Sequence, residues 1–319
     1  MFTFFRCCIL PAIKLYWLGF RVLLGQLLCK TFKLPEMPRQ EGKVAIVTGG
    51  GRGIGFEVAL HLAGLGAHVI IGQRDSLSDQ IISLDNVIEF LTLDLGSLQS
   101  VRHFVHSFKN RHLPLNILVN NAGIMLVPEG RTEDGFELHF GVNYLGHFLL
   151  TWLLLDNLKQ SGTSDCFSRV VNVSSSAHRI GEVQLNDLNS SEYYSAHAAY
   201  CSSKLALLVF SLQLQRVLRA GGSPVSSCAV DPGMVHTALY QHMWAPLRLA
   251  QGTIAQLLFW TPKQGAATVL YTALSPALER GRAEDYWVNG RRQMTSPVTF
   301  HPQLQLSLWE TTMQLLGLQ

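Results

Sequence analysis

Short apolar runs punctuate the chain, separated by stretches whose apolar residues fall at helical spacing. Lys43-Val44-Ala45-Ile46-Val47, Val69-Ile70-Ile71-Gly72, Phe90-Leu91-Thr92-Leu93, Leu115-Asn116-Ile117-Leu118-Val119 and Arg169-Val170-Val171-Asn172-Val173 are apolar at nearly every position. A strand with one wet face would alternate apolar and polar residues. A continuous run predicts a strand covered on both sides, as in a parallel sheet between two helix layers. Phe56 to Ala63, after the first run, has the apolar spacing of a helix. The expected architecture is α/β, a doubly wound parallel sheet with helices on both faces. No internal repeat is present, so residues 42–319 are expected to form one domain.

Residues 1–34 break this pattern and read as a membrane anchor. They stay apolar to Phe32 except for Arg6, Lys14, Arg21 and Lys30. A spanning helix needs about 20 predominantly apolar residues, and no uncharged run here reaches that length. The spacing of Arg6, Lys14 and Arg21 puts the three cations in one sector of a helix, roughly 80° wide. The result is a basic stripe on an apolar rod, with Tyr16 and Trp17 suited to the headgroup zone and Pro11 placed to start or kink it. Three readings stay open: a helix lying in the membrane interface, a single-span signal anchor whose cations snorkel, and a cleaved signal peptide. Pro35 and Pro38 mark a linker over 35–41. Residues 1–41 hold six basic and two acidic residues, a net +4, which leaves −1 for the rest of a chain of net +3. That excess favours an anionic cytosolic leaflet.

Four motifs carry chemistry. Thr48-Gly49-Gly50-Gly51-Arg52-Gly53-Ile54-Gly55 follows the first strand and opens the helix. Strand, glycine loop and helix form a nucleotide-binding unit of Rossmann type. The glycines let backbone approach a pyrophosphate, and the helix N-terminus offers amide N–H groups. Asn120-Asn121-Ala122-Gly123 ends one strand, and Ser174-Ser175-Ser176 ends another. Tyr200-Cys201-Ser202-Ser203-Lys204 sets a phenol and an ammonium one helical turn apart on one face. An adjacent ammonium lowers a phenol's pKa from about 10 towards neutrality, which suits proton exchange with an alcohol or carbonyl.

In this order the motifs resemble the short-chain dehydrogenase/reductase family, over about residues 42 to 290. The resemblance implies hydride transfer between a nicotinamide cofactor and an alcohol or carbonyl. It places the cofactor on Thr48, Gly49, Gly51, Arg52, Gly53, Ile54 and Gly55, on Asn121, Ala122 and Gly123, and on Pro232, Gly233 and Thr237. It makes Tyr200 the proton carrier and Lys204 the residue that tunes it, both also touching the cofactor. Ser175 would hydrogen-bond the substrate oxygen, with Ser174 its rival if the alignment slips by one. Asn143 would hold a water linking Lys204 to solvent; its other reading is a buried structural amide. Asp94 matches the position that contacts adenine, and an aspartate at a strand end is also a common helix cap.

Thr132-Glu133-Asp134-Gly135-Phe136-Glu137, the run from His139 to Thr151 and the long insert from His178 to Ala199 resemble the retinol dehydrogenase branch. That implies a lipophilic alcohol and its aldehyde as substrates; a closer likeness within the branch, in Leu24-Gly25-Gln26-Leu27-Leu28 and in His197-Ala198-Ala199-Tyr200 beside Ser202-Lys204-Leu205-Ala206-Leu207, implies polyprenol and polyprenal, or dolichol and dolichal, first, and retinol and retinal second. Nothing in composition or spacing shows isoprenoid specificity. A small-carbonyl reductase and a cofactor-binding regulator without turnover are the alternatives. The family resemblance also admits a homodimer. With the anchor, it implies the endoplasmic reticulum membrane or a lipid droplet surface, secretion being the alternative.

The second strand ends in Gln73-Arg74-Asp75. A carboxylate at its end would repel a 2′-phosphate, whereas Gln73 with Arg74 and Arg52 favours NADP(H). NAD(H) stays open, because a one-residue shift brings in Asp75. Nineteen residues between Arg74 and Asp94 leave a short crossover. About 234–262 is long and apolar, readable as a lid over the site or as an amphipathic helix on the core. A net charge of +3 with no aromatic-interleaved basic stripe argues against nucleic acid. The six cysteines form no C-x-x-C, and His103 and His106 lack a third ligand, so neither a disulfide framework nor a metal site is expected. Asn172 and Asn189 fall in glycosylation sequons.

Overall fold

The apolar runs pair as one eight-stranded sheet in a computed structural model that describes residues 5–74, 87–242, 258–278 and 285–318. Its strands are β1 (Val44–Thr48), β2 (His68–Gln73), β3 (Ile88–Thr92), β4 (Ile117–Asn120), β5 (Ser168–Val173), β6 (Val225–Asp231), β7 (Tyr286–Val288) and β8 (Arg291–Gln293). The order is β3-β2-β1-β4-β5-β6-β7-β8, parallel through β7, with β8 antiparallel at the edge. The order reverses at β1 and β4, the switch point outside which such sheets bind ligands.

The helices are α1 (Leu10–Leu28), α2 (Gly53–Gly64), α3 (Leu98–Lys109), α4 (Gly146–Ser161), α5 (Ala196–Ala220), α6 (Pro262–Leu274) and α7 (Pro302–Leu315). Successive residues of β1 divide between two layers, as the pleat requires. Val44 and Ile46 pack with α3, α4 and α5, while Ala45 and Val47 pack with α2 and α6. This is why the run is apolar throughout. Its polar exceptions are tied across the sheet: Asn120 Nδ2 donates to Thr151 Oγ1 and to Asn172 Oδ1, each at 2.9 Å. Asn172 is fully buried, so its sequon is closed to a glycan. Asn189 is tied as well, its Oδ1 accepting from Glu137 N at 3.1 Å.

The β7–β8 hairpin, absent from the sequence expectations, turns through Asn289 (φ 48°) and Gly290 (φ 72°). Two successive left-handed residues are what a two-residue turn of this hand demands. The helix α7 docks across α4 and α5, with Trp309 stacked on Phe210 and Tyr144 Oη 2.7 Å from Thr312 Oγ1.

The N-terminal segment winds as a π-turn over Phe5–Ile9 and continues as α1, with Pro11 in its first turn. Proline there starts the helix. Phe5, Ile9, Ile13, Trp17, Phe20, Leu24 and Leu27 are exposed along one face, and Lys14 and Arg21 are exposed too. The opposite face lies against the Ser176–Ile180 turn and α5. The linker is docked as well, with Leu34 and Met37 packed against the α2 and α6 layer. The crossover from 75 to 86, including Asp75, and residues 243–257 of the expected lid lie outside the described residues.

Candidate active site

The strand β1 delivers its last residue, Thr48, under the glycine loop. Its Oγ1 accepts from Asn121 N at 2.9 Å and Ala122 N at 3.0 Å, and lies 2.9 Å from His147 Nε2. Asn121 Nδ2 returns a bond to Thr48 O at 2.9 Å. Thr48 is fully buried, and its hydroxyl braces the loop from beneath. Gly49 and Gly53 have φ of 63° and 60°, a region that favours glycine. A Cβ at Gly49 would lie 3.0 Å from Ala122 Cα, and one at Gly55 would lie 2.6 Å from Gly49 O. A Cβ at Gly51 would meet the Gln73 carboxamide, and one at Gly53 would lie 3.3 Å from Thr237 Cγ2. Gln73, Thr237 and the loop therefore surround one cradle. Arg52 and Arg74 are exposed at its rim. Ile54 turns its side chain into the core beside α6. Asp94 Oδ1 accepts from Gly96 N at 2.8 Å, so it caps its own turn.

The second half of the site is built on α5. Tyr200 and Lys204 are each 4% exposed. Ser175 lies just past β5 and caps a short 3₁₀ turn, its Oγ accepting from Ala177 N at 3.2 Å, with its hydroxyl close enough to Tyr200 to favour the phenolate. Ser174 instead donates to Lys204 O at 3.1 Å. Ser175 thus lies on the side of the phenol, and Ser174 is committed to the α5 backbone. Lys204 Nζ donates to Val173 O at 2.9 Å. A Cβ on Gly123 would sit 3.3 Å from Asn143 Oδ1 and 3.4 Å from Lys204 Nζ. Gly123 thus lets the strand end approach both groups.

Asn143 sits in a π-turn, Gly141–Leu145, that leads into α4. Its Oδ1 accepts from Ile124 N at 2.8 Å, and its Nδ2 donates to Ile124 O at 3.0 Å and to Ser203 Oγ at 2.9 Å. Both amide hydrogens are used within the protein. The side chain ties the β4 loop to α5.

Burial pushes the Tyr200 phenol well above its ordinary value, nearby Tyr240 adds to the rise, and the Ser175 bond opposes it. The depression expected from Lys204 does not prevail in the protein by itself. Burial also pulls the Lys204 ammonium down to about 8, against the attraction of Asp231. Asp231 escaped the sequence reading. It ends β6, is buried, and accepts from Gly233 N at 2.9 Å and from Tyr286 Oη at 3.0 Å. Its place directly before Pro232-Gly233 was the available signal. His139 was missed too: its ring lies 6.3 Å from that of Tyr200, with Nδ1 2.7 Å from the buried Glu137 carboxylate.

The family model for short chain dehydrogenases matches residues 43–247. The chain belongs to that family. A polyprenol dehydrogenase of Danio rerio is 49% identical and that of Homo sapiens 48%, covering 98% and 96% of each chain. Retinol dehydrogenase 12 of Homo sapiens is 39% identical over 87% of each. Among solved structures, an uncharacterized protein from Mycobacterium Paratuberculosis shares 32% identity at a TM-score of 0.72, over 90% of this chain and 98% of that one. The Pseudomonas aeruginosa RhlG/NADP complex shares 25% identity at a TM-score of 0.62, over 78% and 95%.

As a short-chain dehydrogenase, the protein is an oxidoreductase that uses a nicotinamide cofactor, and its residues fit one. The cradle over Gly49, Gly51, Gly53 and Gly55 crowds added side chains, most tightly at Gly55, and lies at the α2 N-terminus, whose amide N–H groups suit a pyrophosphate. Asp231→Asn keeps the shape of the β6 end while removing the charge that holds the Lys204 proton. The dehydrogenase should then lose the ammonium at lower pH. In a pH series of kcat/KM for carbonyl reduction, the falling limb should move to the acid side of about 8.

Proposed function

We propose that this dehydrogenase interconverts a long lipid alcohol and its aldehyde at a membrane surface, with polyprenol and polyprenal as the leading pair and NADP(H) as the cofactor. The supporting observation is that likeness to polyprenol dehydrogenases extends over 98% of both chains and therefore includes the N-terminal segment. The Cys7–Leu28 helix, long and apolar enough to cross a membrane, fits an anchor in the endoplasmic reticulum membrane or on a lipid droplet.

In this reading Ser175 receives the substrate oxygen beside Tyr200. In reduction the Tyr200 hydroxyl gives its proton to the carbonyl oxygen and is left as a phenolate; in oxidation the phenolate form takes the alcohol's hydroxyl proton back. Lys204 supplies positive charge beneath both and is held on the Val173 carbonyl. Asn143 fixes the β4 loop against α5, so that Gly123 and Lys204 stay in register. Hydride exchange at the carbinol carbon is the chemistry that a bound nicotinamide supplies.

Arg52 and Arg74 are the groups for a 2′-phosphate. Arg74→Ala should raise KM for NADPH about tenfold and leave KM for NADH nearly unchanged, since a charge-assisted hydrogen bond contributes about 1.5–3 kcal/mol. Steady-state titration with both cofactors checks this; equal changes would remove Arg74 from the phosphate site. Substrate class is tested by rates on isoprenoid alcohols of increasing length. A rise with length supports the lipid reading, and a flat series favours a small-carbonyl reductase.

A further inference from the structure

An anchor needs no contact with a catalytic centre, yet α1 makes several. Leu15 packs against the cluster that holds Met125, Leu126, Ala177, Tyr200 and Cys201. Tyr16 Oη lies 3.3 Å from His197 Nε2, three residues before Tyr200. Gln26 meets the Pro232-Gly233 turn with both ends of its carboxamide. Its Oε1 accepts from Met234 N at 2.6 Å, and its Nε2 donates to Met234 O at 3.3 Å. A side-chain amide so paired acts on this turn as a neighbouring strand would. The approach is close, since a Cβ on Gly233 would lie 2.8 Å from Gln26 Oε1.

The far end of α1 is held by the β7–β8 hairpin. Asn289 Oδ1 accepts from Phe32 N at 2.7 Å, and its Nδ2 donates to Lys30 O at 3.0 Å. Gly290 makes room for the Phe32 ring, which meets Tyr271 edge-on at 5.3 Å. Between α1 and the hairpin lies a cavity of about 260 Å³, lined by Val22, Gln26 and Cys29 on one side and by Ser176, Asp231 and Tyr286 on the other.

We infer that α1 is a wall of the substrate channel, that Gln26 is a positioning residue for the Pro232–Met234 turn, and that a long apolar substrate enters between α1 and the β7–β8 hairpin. What the channel carries rests on the lipid reading above; the positioning role of Gln26 does not. The exposed apolar face of α1 would lie in the bilayer, while its inner face guides the chain past Leu15 towards Tyr200. Membrane attachment and catalysis are then one structural unit.

The test uses full-length protein in phosphatidylcholine vesicles. Gln26→Leu keeps the bulk and loses both bonds; Gln26→Glu keeps an acceptor for Met234 N; a third variant replaces residues 1–28 with an unrelated apolar helix. All three should float with the vesicles as wild type does. In Gln26→Leu and in the exchanged helix, hydrogen–deuterium exchange at Met234 should quicken about tenfold. Turnover of a polyprenal with NADPH should fall at least as much, and Gln26→Glu should recover part of both. If the exchanged helix restores full turnover, or if Gln26→Leu leaves Met234 exchange unchanged, α1 is a tether and the inference fails. If wild type binds NADPH but turns over no lipid aldehyde, the substrate reading fails, and the exchange measurement still decides whether Gln26 holds the turn.

Discussion

Tyr200→Phe is expected to lower turnover by about 10²- to 10⁴-fold, the range for losing a positioned acid–base group, while cofactor binding and the fold survive. Phenylalanine keeps the ring that packs with Met125, Leu126 and Ala177 and lies edge-on to His139. It removes one buried hydroxyl and its bond to Ser175. Ser175 remains capped onto Ala177 N, so the structural cost should stay near 1 kcal/mol. Initial rates, cofactor titration by fluorescence and thermal melts on the same preparation separate these effects. A variant that keeps more than a tenth of wild-type turnover would remove Tyr200 from proton transfer.

Gly55→Ala should abolish measurable cofactor binding and destabilise the domain by about 1–3 kcal/mol, the usual cost of an unaccommodated methyl group. The new Cβ would lie 2.6 Å from Gly49 O and against the Asn121 carboxamide, which is itself bonded to Thr48 O. Neither neighbour is the loose end of a side chain, so relief requires the loop to move. Gly51→Ala is the comparison, because its Cβ would meet only the carboxamide of Gln73. That side chain has rotamers to retreat into, so cofactor affinity should fall far less. Calorimetric titration and melts of both variants decide the point; equal losses would contradict a cradle whose tight point is Gly55.

The sheet was legible in the sequence because β1, β2 and β4 are covered on both faces and are therefore apolar at most positions, and β5 keeps an apolar Val170-Val171 centre. The strands β7 and β8 were not, since three residues carry no period, although Asn289-Gly290 is a hairpin signal. Tyr200 and Lys204 were legible from spacing. The choice between Ser174 and Ser175 was not, because adjacent residues differ only in the direction each side chain takes from the strand end. The pKa direction of Tyr200 was misjudged because spacing reveals a neighbouring charge but not the degree of burial. Asp231 ends a strand, and only the tertiary structure shows that its carboxylate bonds Tyr286 and Gly233 within electrostatic reach of Lys204. The docking of α1 was hidden for a different reason. Apart from its basic stripe the segment is apolar all round, one side against protein and one exposed, so hydropathy alone does not show which side docks.

The most direct measurement is NADPH oxidation by full-length, detergent-solubilised protein given polyprenal, with retinal and a short water-soluble aldehyde alongside, in wild type and Tyr200→Phe. The expected result is turnover that is highest on polyprenal and lost in the variant. Folded, NADPH-binding wild type that ignores both lipid aldehydes, or that reduces the short aldehyde faster than either, would contradict a lipid alcohol dehydrogenase.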